Sequence, residues 1–303
     1  MGRRLVEMLL VLGHSVIAHD LRPFDLSSSP NSEFRIPNSA FDNIPNSTLE
    51  TVSGDLVKGE GLEQIANSDV VVHLAAAGVK TGSRQWDLCT SVNVVGTQAL
   101  LSALGRCQKM PMLFYSRTYY QDHLSEIPSL WENPYLATKE ASTRLVKRWK
   151  SQDCPDARIV IGTFFQAYGP GDDPNNLVSY TIRKLLAGEP AEYGSGTALR
   201  DWIYVDDLVT GIIAAIDSAR TAEDPGLHHY DLGTGKGYPI QQVVKETAHL
   251  LGVNPIAYFD PARDRSDSGI THLAKDLVPG WAPHYTLESG LAQTIRTMTG
   301  TRP

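Results

Sequence analysis

The chain has 303 residues, 42% of them hydrophobic, with a formal net charge of −7 and a pI near 5.7. That is enough for one large domain or two smaller ones around a substantial core. Acidic and basic residues are interspersed without a Lys/Arg stripe, which argues against nucleic acid or an anionic membrane as the main partner. Cys89, Cys107 and Cys154 are far apart, odd in number and free of CxxC or Cys/His ligand spacing, so a reducing, cytoplasmic compartment fits best. Side chains of the adjacent pair His228-His229 point apart, so no metal site is expected. The longest apolar stretches, such as VVVHLAAAGV, are too short to span a membrane.

The chain opens MGRRLVEMLLVLGHSV. Two arginines before an apolar run invite a secretion signal, but Glu7 interrupts the run and no A-x-A cleavage site follows. Leu5, Leu9 and Leu12, with Val6 and Leu10, recur at three and four instead. That spacing predicts a helix with one buried face, stopped by Gly13. HSVIAHD predicts a short buried strand ending in Asp20. Residues 26–47 are rich in Ser, Asn and Pro, with PNS three times, and predict a loop insertion rather than a structural repeat. Asn46-Ser47-Thr48 matches a glycosylation sequon, which a cytoplasmic setting makes a chance match.

TLETVSGDL predicts the next strand, and EGLEQIAN a short helix. SDVVVHLAAAG predicts a strand buried on both faces. WDLCTSVNVVGTQALLSALGRC predicts a long helix, MPMLFYS a strand, and NPYLATKEASTRLVKRWKSQ a helix with Pro134 at its start. ARIVIGTFF is a further strand. Beyond residue 170, NNLVSYTIRKLLAGEP and IQQVVKETAHLLG predict helices, RDWIYVDDLVTGIIAAIDSA a strand and then a helix, and HHYDLGTG a strand and turn. Strands alternating with helices predict an α/β fold with a doubly wound parallel sheet. No linker separates the halves. The expectation is two interlocked lobes: a dinucleotide-binding domain over 1–168, with 200–235 contributing to it, and a smaller α/β substrate-binding lobe over 169–303.

A doubly wound dinucleotide (Rossmann) fold starts with a strand, a Gly-rich turn and a helix, and an acidic residue follows about 20 residues on. Here the helix, the second strand and Asp20 are present. The first strand and two of the three glycines are missing, and Gly2 stands where the third would be. The backbone amides that would cradle a pyrophosphate go with them. The expectation is a start assigned too late, a gene fragment, or a protein that does not bind its cofactor in the usual way.

Six motifs then fall in one order: HLAAAG (73–78), NVVGT (93–97), YLATK (135–139), YGPG (168–171), RDWIYVDD (200–207) and DLGTG (231–235). In series they make the chain resemble the extended short-chain dehydrogenase/reductase family, in its NAD-dependent epimerase/dehydratase branch. Tyr135 and Lys139 are four apart on one helix face. A lysine cation near a tyrosine hydroxyl favours the phenolate. The resemblance implies that Tyr135 is the general base for a sugar hydroxyl while hydride moves to a nicotinamide, and that Lys139 also binds the nicotinamide ribose. It implies Ser116 as the third catalytic residue, with Thr118 as an alternative. A plain strand-end serine capping its turn stays open.

For the cofactor, the resemblance implies Asp20 on the adenosine ribose, favouring NAD over NADP, although Arg22 is close by. It implies Asp55 and Leu56 on the adenine side, Ala75 and Ala76 where the backbone passes the cofactor, and Asn93 fixing the helix beside the site. For the substrate it implies Ser116, Thr118, Gln166, Arg200 and Arg263. Arg200 is equally readable as a buried cation paired with Asp201 or Asp206. Nucleotide-sugar dehydratases that the chain resembles carry Thr-Asp-Glu where Ser116, Arg117 and Thr118 stand, so elimination of water is disfavoured. The expected activity is an NAD-dependent nucleotide-sugar epimerase or a related oxidoreductase. A reductase of a keto-sugar or other carbonyl, and a truncated, non-catalytic protein, stay open. The resemblance also implies a homodimer through helices at 88–107 and 134–150. Ala141, Leu145 and Trp149 suit either that contact or the core.

Overall fold

A computed structural model describes residues 1–22, 47–254, 256–264 and 268–300. Residues 26–46 of the expected insertion, Asn46 of the sequon, and residues 265–267 of PARDRSD lie outside the described residues. The fold is α/β, with a parallel sheet of the Rossmann type. Two compact units divide the described residues. One takes 1–22, 47–163 and 212–230, and the other takes 164–211 and 231–300. Among the described residues no helix is long and apolar enough to cross a membrane.

In the first unit the opening segment is helix α1 (Gly2–Val11). It buries Leu5 and Leu10, leaves Leu12 exposed, and gives way to Gly13, whose φ of +83° suits glycine. Strands β1 (Val16–Asp20) and β2 (Leu49–Ser53) form a parallel pair in which Asp20 faces Ser53. They are separate from a four-stranded sheet of β3 (Val70–His73), β4 (Met112–Thr118), β5 (Ile159–Phe164) and β9 (Leu227–Leu232), in the order β3-β4-β5-β9. β3 runs parallel to β4, with His73 facing Tyr115. Every residue of β4 is buried, as a strand covered on both faces requires.

Three segments span the predicted long helix: α2 (Trp86–Cys89), a π turn (Thr90–Gly96) and α3 (Thr97–Leu104). The core beneath it joins Leu100, Leu101, Leu104, Leu113, Ile159 and Trp149. Trp149 therefore belongs to the core, Leu145 packs against it, and Ala141 is exposed. The β1–β2 pair is tied in through Leu56, Leu62 and Ile65, the last two in a 3-10 turn (Leu62–Asn67) where a short helix was expected. Gly96 of NVVGT has a packing reason, because a Cβ there would lie 3.0 Å from Leu56 Cδ2. Helix α4 (Pro134–Arg148) starts as predicted, with Pro134 in its first turn and the Asn133 side chain accepting from Tyr135 N at 3.1 Å.

The second unit has a sheet of β6 (Gln166–Tyr168), β8 (Leu199–Tyr204) and β10 (Gly237–Pro239), ordered β10-β8-β6. A parallel pair, β7 (Ala191–Tyr193) and β11 (Ala257–Phe259), lies apart from it. Helices α5 (Leu177–Leu186), α7 (Ile240–Leu251) and α8 (Leu287–Thr299) complete the unit, and α6 (Val205–Thr221) follows β8 along the chain. Tyr168, Ile182, Trp202, Tyr204, Val243 and Leu291 share its core.

The turn after β9 and the stretch between α7 and α8 have little regular structure, so their backbone N–H groups need other acceptors. Three buried aspartates supply them. Asp201 accepts from Thr234 N and Gly235 N, each at 2.8 Å, from Thr234 Oγ1 at 2.6 Å and from Ala274 N at 3.0 Å. Asp231 accepts from Lys275 N at 2.9 Å and Asp276 N at 3.3 Å. Asp207 accepts from His284 N and Tyr285 N, both at 2.8 Å. Burial pushes the Asp207 carboxyl up, against those two amides. Two of the motifs, RDWIYVDD and DLGTG, thus owe their acidic letters to backbone support.

Candidate active site

Parallel strands bring their last residues to one edge, where ligands of such folds sit. Asp20 closes β1, and its exposed carboxylate accepts from Arg22 N at 3.3 Å. Gly54 N donates to Asp20 O at 3.0 Å, which brings Asp55 alongside. Asp55 caps the turn Leu56–Lys58 by accepting from Val57 N at 2.9 Å. Beyond β3, Ala75 is exposed and Ala76 half-buried. The first turn of α1 starts at Gly2 without a side-chain cap from Met1. A Cβ on Gly2 would meet nothing within 4 Å, so no close approach explains that glycine.

Lys139 lies one turn beyond Tyr135 on α4 and is 3% exposed. Its Nζ donates to Ser116 O at 2.6 Å and to Tyr115 Oη at 3.2 Å, and stands 4.4 Å from the centre of the Tyr115 ring. Ser142 Oγ donates to Lys139 O at 3.1 Å. Its own proton being committed, the 2.6 Å contact between Tyr115 Oη and Ser142 Oγ is donated by the tyrosine. The lysine is thus held by the strand carrying Ser116. The phenol of Tyr135 moves opposite to the expected direction. Burial pushes it up to about 12, the neighbouring Tyr115 adds to the rise, the Arg84 guanidinium opposes it, and Cys89 adds a smaller upward push.

Ser116, 7% exposed, donates from Oγ to His73 O at 3.2 Å. Thr118, two residues on, donates from its backbone N to Gln121 Oε1 at 3.0 Å as a 3-10 turn begins. Between them Arg117 is buried, with Nη2 at 2.5 Å from Asp122 Oδ1 and Nε buried without a partner.

Asn93 is 2% exposed on the π turn. Its Oδ1 accepts from Ala77 N at 2.7 Å, and its Nδ2 donates to Ala77 O at 3.1 Å and to Thr138 Oγ1 at 2.9 Å. Thr138 Oγ1 in turn donates to Pro134 O at 2.6 Å. The turn after β3 is thereby fastened to the first turn of α4. Gly78 makes the same junction tight. Its φ is +82°, and a Cβ would lie 2.5 Å from Cys89 Sγ and 3.1 Å from Tyr135 Cβ. Gly78, Thr138 and Ala77 are site-building residues that local sequence reasoning misses, although HLAAAG ends on the glycine. His73 is also part of the frame. Thr97 Oγ1 donates to Asn93 O at 2.7 Å, so at 3.0 Å it accepts from His73, which places the imidazole proton on Nε2. Burial and then the Lys139 charge push the His73 ring down to about 3, which keeps it neutral.

The remaining candidates lie in the second unit. Gln166 opens β6 opposite Trp202. Arg200, 5% exposed, donates from Nη1 to Leu199 O at 2.9 Å and Ile270 O at 2.5 Å. Asp201 is not its partner, because that carboxylate is taken by the amides of 234, 235 and 274. Arg263 is half-exposed and pairs with Glu192 at 2.6 Å, with Asp260 3.9 Å away. The structure therefore joins Lys139 to the strand of Ser116, ties Asn93 to Thr138 on the helix that carries Tyr135, and gathers Asp20, Asp55 and Leu56 at the β1–β2 edge.

Comparison with known proteins places the chain in a family. The family model of the NAD dependent epimerase/dehydratase family matches residues 1–233. UDP-glucose 4-epimerase 3 of Oryza sativa subsp. japonica is 30% identical over 276 residues, covering 79% of this chain and 72% of the plant protein. A dTDP-glucose 4,6-dehydratase of Xanthomonas campestris pv. campestris is 30% identical over 234 residues, covering 67% and 64%. Among solved structures, MoeE5 in complex with UDP-glucuronic acid and NAD aligns with a TM-score of 0.74 at 26% identity, covering 98% of this chain and 94% of that one.

Proposed function

Because this chain belongs to the NAD-dependent epimerase/dehydratase family, we propose that it epimerises a nucleotide sugar, with Tyr135, Lys139 and Ser116 as its catalytic residues. The observation that carries this reading is the join of α4 to β4: Lys139 Nζ on Ser116 O, one helical turn from Tyr135. Arg117, in place of an acid, weighs against a dehydratase even though dehydratases are among the relatives.

The residues present fit a dinucleotide. The exposed Asp20 carboxylate suits ribose hydroxyls. Asp55 and Leu56 would flank the adenine, and the small side chains of Ala75 and Ala76 leave room for the cofactor. Lys139 would also reach the nicotinamide ribose. When bound, NAD supplies a reversible two-electron acceptor beside a sugar carbon. In this scheme the first unit takes the dinucleotide. Gln166, Arg200 and Arg263 of the second unit contact the nucleotide sugar, with the two arginines on its diphosphate.

Tyr135 Oη takes the proton of a sugar hydroxyl as the carbon bearing it is oxidised, and Ser116 Oγ holds that oxygen in line. Returning the same proton after the opposite face of the ketone is reduced leaves one inverted carbon and no net redox change. Asn93 and Gly78 hold the helix end from which Tyr135 acts. The three free cysteines suit a reducing, cytoplasmic setting, and the exposed Ala141 on α4 suits a homodimer face.

The test is product analysis by NMR with the full chain, NAD and a panel of UDP- and dTDP-sugars. An epimer is expected, and Tyr135→Phe should lower turnover by about 10²–10⁴-fold. A 4-keto-6-deoxy product would make the chain a dehydratase. Stoichiometric oxidation of NADH would make it a reductase. Turnover retained in Tyr135→Phe would overturn the mechanism.

A further inference from the structure

Tyr-x-x-x-Lys spacing directs attention to Lys139 as the cation that serves Tyr135. Lys139 Nζ is instead engaged by Ser116 O and Tyr115 Oη. Another cation comes to the Tyr135 junction from a different element. After β3 the chain turns back on itself, with Ser83 N and Ser83 Oγ both donating to Lys80 O. This returns Arg84 to the start of the turn, where its Nε donates to Gly78 O at 3.2 Å. Gly78 is the residue against which Tyr135 packs, with its missing Cβ only 3.1 Å from Tyr135 Cβ. Arg84 is half-buried, and the carbonyl of Gly78 is its one partner among the described residues. A guanidinium that is partly desolvated and lacks a carboxylate exerts its field on whatever lies beside it.

The geometry points to Arg84 as a positioning residue for the proposed reaction: it keeps a positive charge, separate from Lys139, at the Gly78 junction against which Tyr135 packs. This inference rests on Tyr135 being the base of the reaction proposed above. The groups facing Tyr135 support it. Tyr115 of β4 and Cys89 of α2 both disfavour the phenolate, Lys139 of α4 is turned to β4, and His73 of β3 is neutral. The Arg84 charge favours the anionic forms of both Tyr135 and Cys89. No spacing rule reveals this residue, because 51 positions separate it from Tyr135 and only the Gly78 turn brings the two together.

The test replaces Tyr135 with 3,5-difluorotyrosine, whose ring fluorines lower the phenol's ionisation into the neutral range, and follows its titration by ¹⁹F NMR in the full chain. Arg84→Gln should raise the midpoint by about one unit, the lower end of what a nearby charge contributes, and Arg84→Lys should restore it. In the unlabelled protein the rising, acidic limb of the kcat profile should move the same way while KM for the sugar stays within about twofold, because the residue acts through Tyr135. Arg84→Met, close to arginine in length, repeats the measurement should the glutamine variant fold poorly. An unmoved midpoint in the neutral variants overturns the inference, and so does a lysine variant as displaced as the glutamine one. Neither outcome touches the proposed function, which fails separately if Tyr135→Phe still turns over.

Discussion

The side-chain amide of Asn93 donates to the Thr138 hydroxyl at 2.9 Å, linking the π turn to the helix that carries Tyr135 and Lys139. The same amide closes both backbone bonds of Ala77. Replacing Asn93 by alanine leaves the Ala77 N–H and C=O unpaired in a buried junction. The expected cost is about 2–4 kcal/mol, from two or more buried groups losing partners. Chemical denaturation should register it as a lower midpoint with an unchanged slope. Turnover should fall at least as far, since the first turn of α4 loses its tether. Full stability in the variant would show that the junction rests on something other than this amide.

Two glycines invite a paired test. Gly78→Ala forces a Cβ to within 2.5 Å of Cys89 Sγ at a φ of +82°. Strain and overpacking together should destabilise by about 2–4 kcal/mol. Gly2→Ala meets nothing within 4 Å and should change stability by less than about 1 kcal/mol, in the direction of greater stability because alanine favours helix. Thermal melts of the two variants side by side would decide, and equal melting temperatures would contradict the packing described for Gly78.

His73 gives the stability a pH dependence with a definite sign. Its ring is pushed from the ordinary 6.5 down to about 3 by burial, with Lys139 adding to the effect. A histidine whose folded value is depressed binds its proton more readily when unfolded. Its contribution is therefore complete above about pH 6.5 and is lost progressively as pH falls toward about 3. The melting temperature of the native chain should drop across that window more steeply than that of His73→Gln, which can still donate to Thr97 without gaining charge. Parallel curves would mean that His73 is not the group responsible.

Asp201 holds three backbone amides and one hydroxyl from two later segments. Asp201→Ala should cost about 3 kcal/mol or more, because several buried donors lose a charged acceptor at once. Asp201→Asn should fall in between, since one of its two side-chain atoms can no longer accept. Urea denaturation of the three proteins should rank them in that order. An alanine variant as stable as the native chain would make the carboxylate dispensable.

Much of the fold was legible along the chain because hydrophobic period and turn residues are local properties. The helix over Gly2–Val11, a strand after Ser68 and the Pro134 start of the Tyr135 helix follow from spacing and capping chemistry, but Val70–Val72 of that strand are half-buried rather than covered on both faces, because the strand lies at the edge of its sheet. Short strands were less legible. Ala191–Tyr193 and Ala257–Phe259 exist because they pair with each other across 66 residues, and three-residue segments carry no period of their own. The π turn at Thr90–Gly96 was hidden too, since its one extra residue per turn leaves the helical pattern nearly intact.

The order of the motifs and the four-residue step from Tyr135 to Lys139 are properties of the sequence alone, and they identify the family and the residues to examine. Tertiary structure alone decided what those residues touch. Lys139 turned to Tyr115 and Ser116, Trp149 joined the core, Asp201 went to backbone amides rather than to Arg200, and Arg84 came to rest on the Gly78 carbonyl. A buried polar group takes the partner that the packed fold brings within about 3 Å. Between residues tens of positions apart, that distance is fixed by how strands and helices stack.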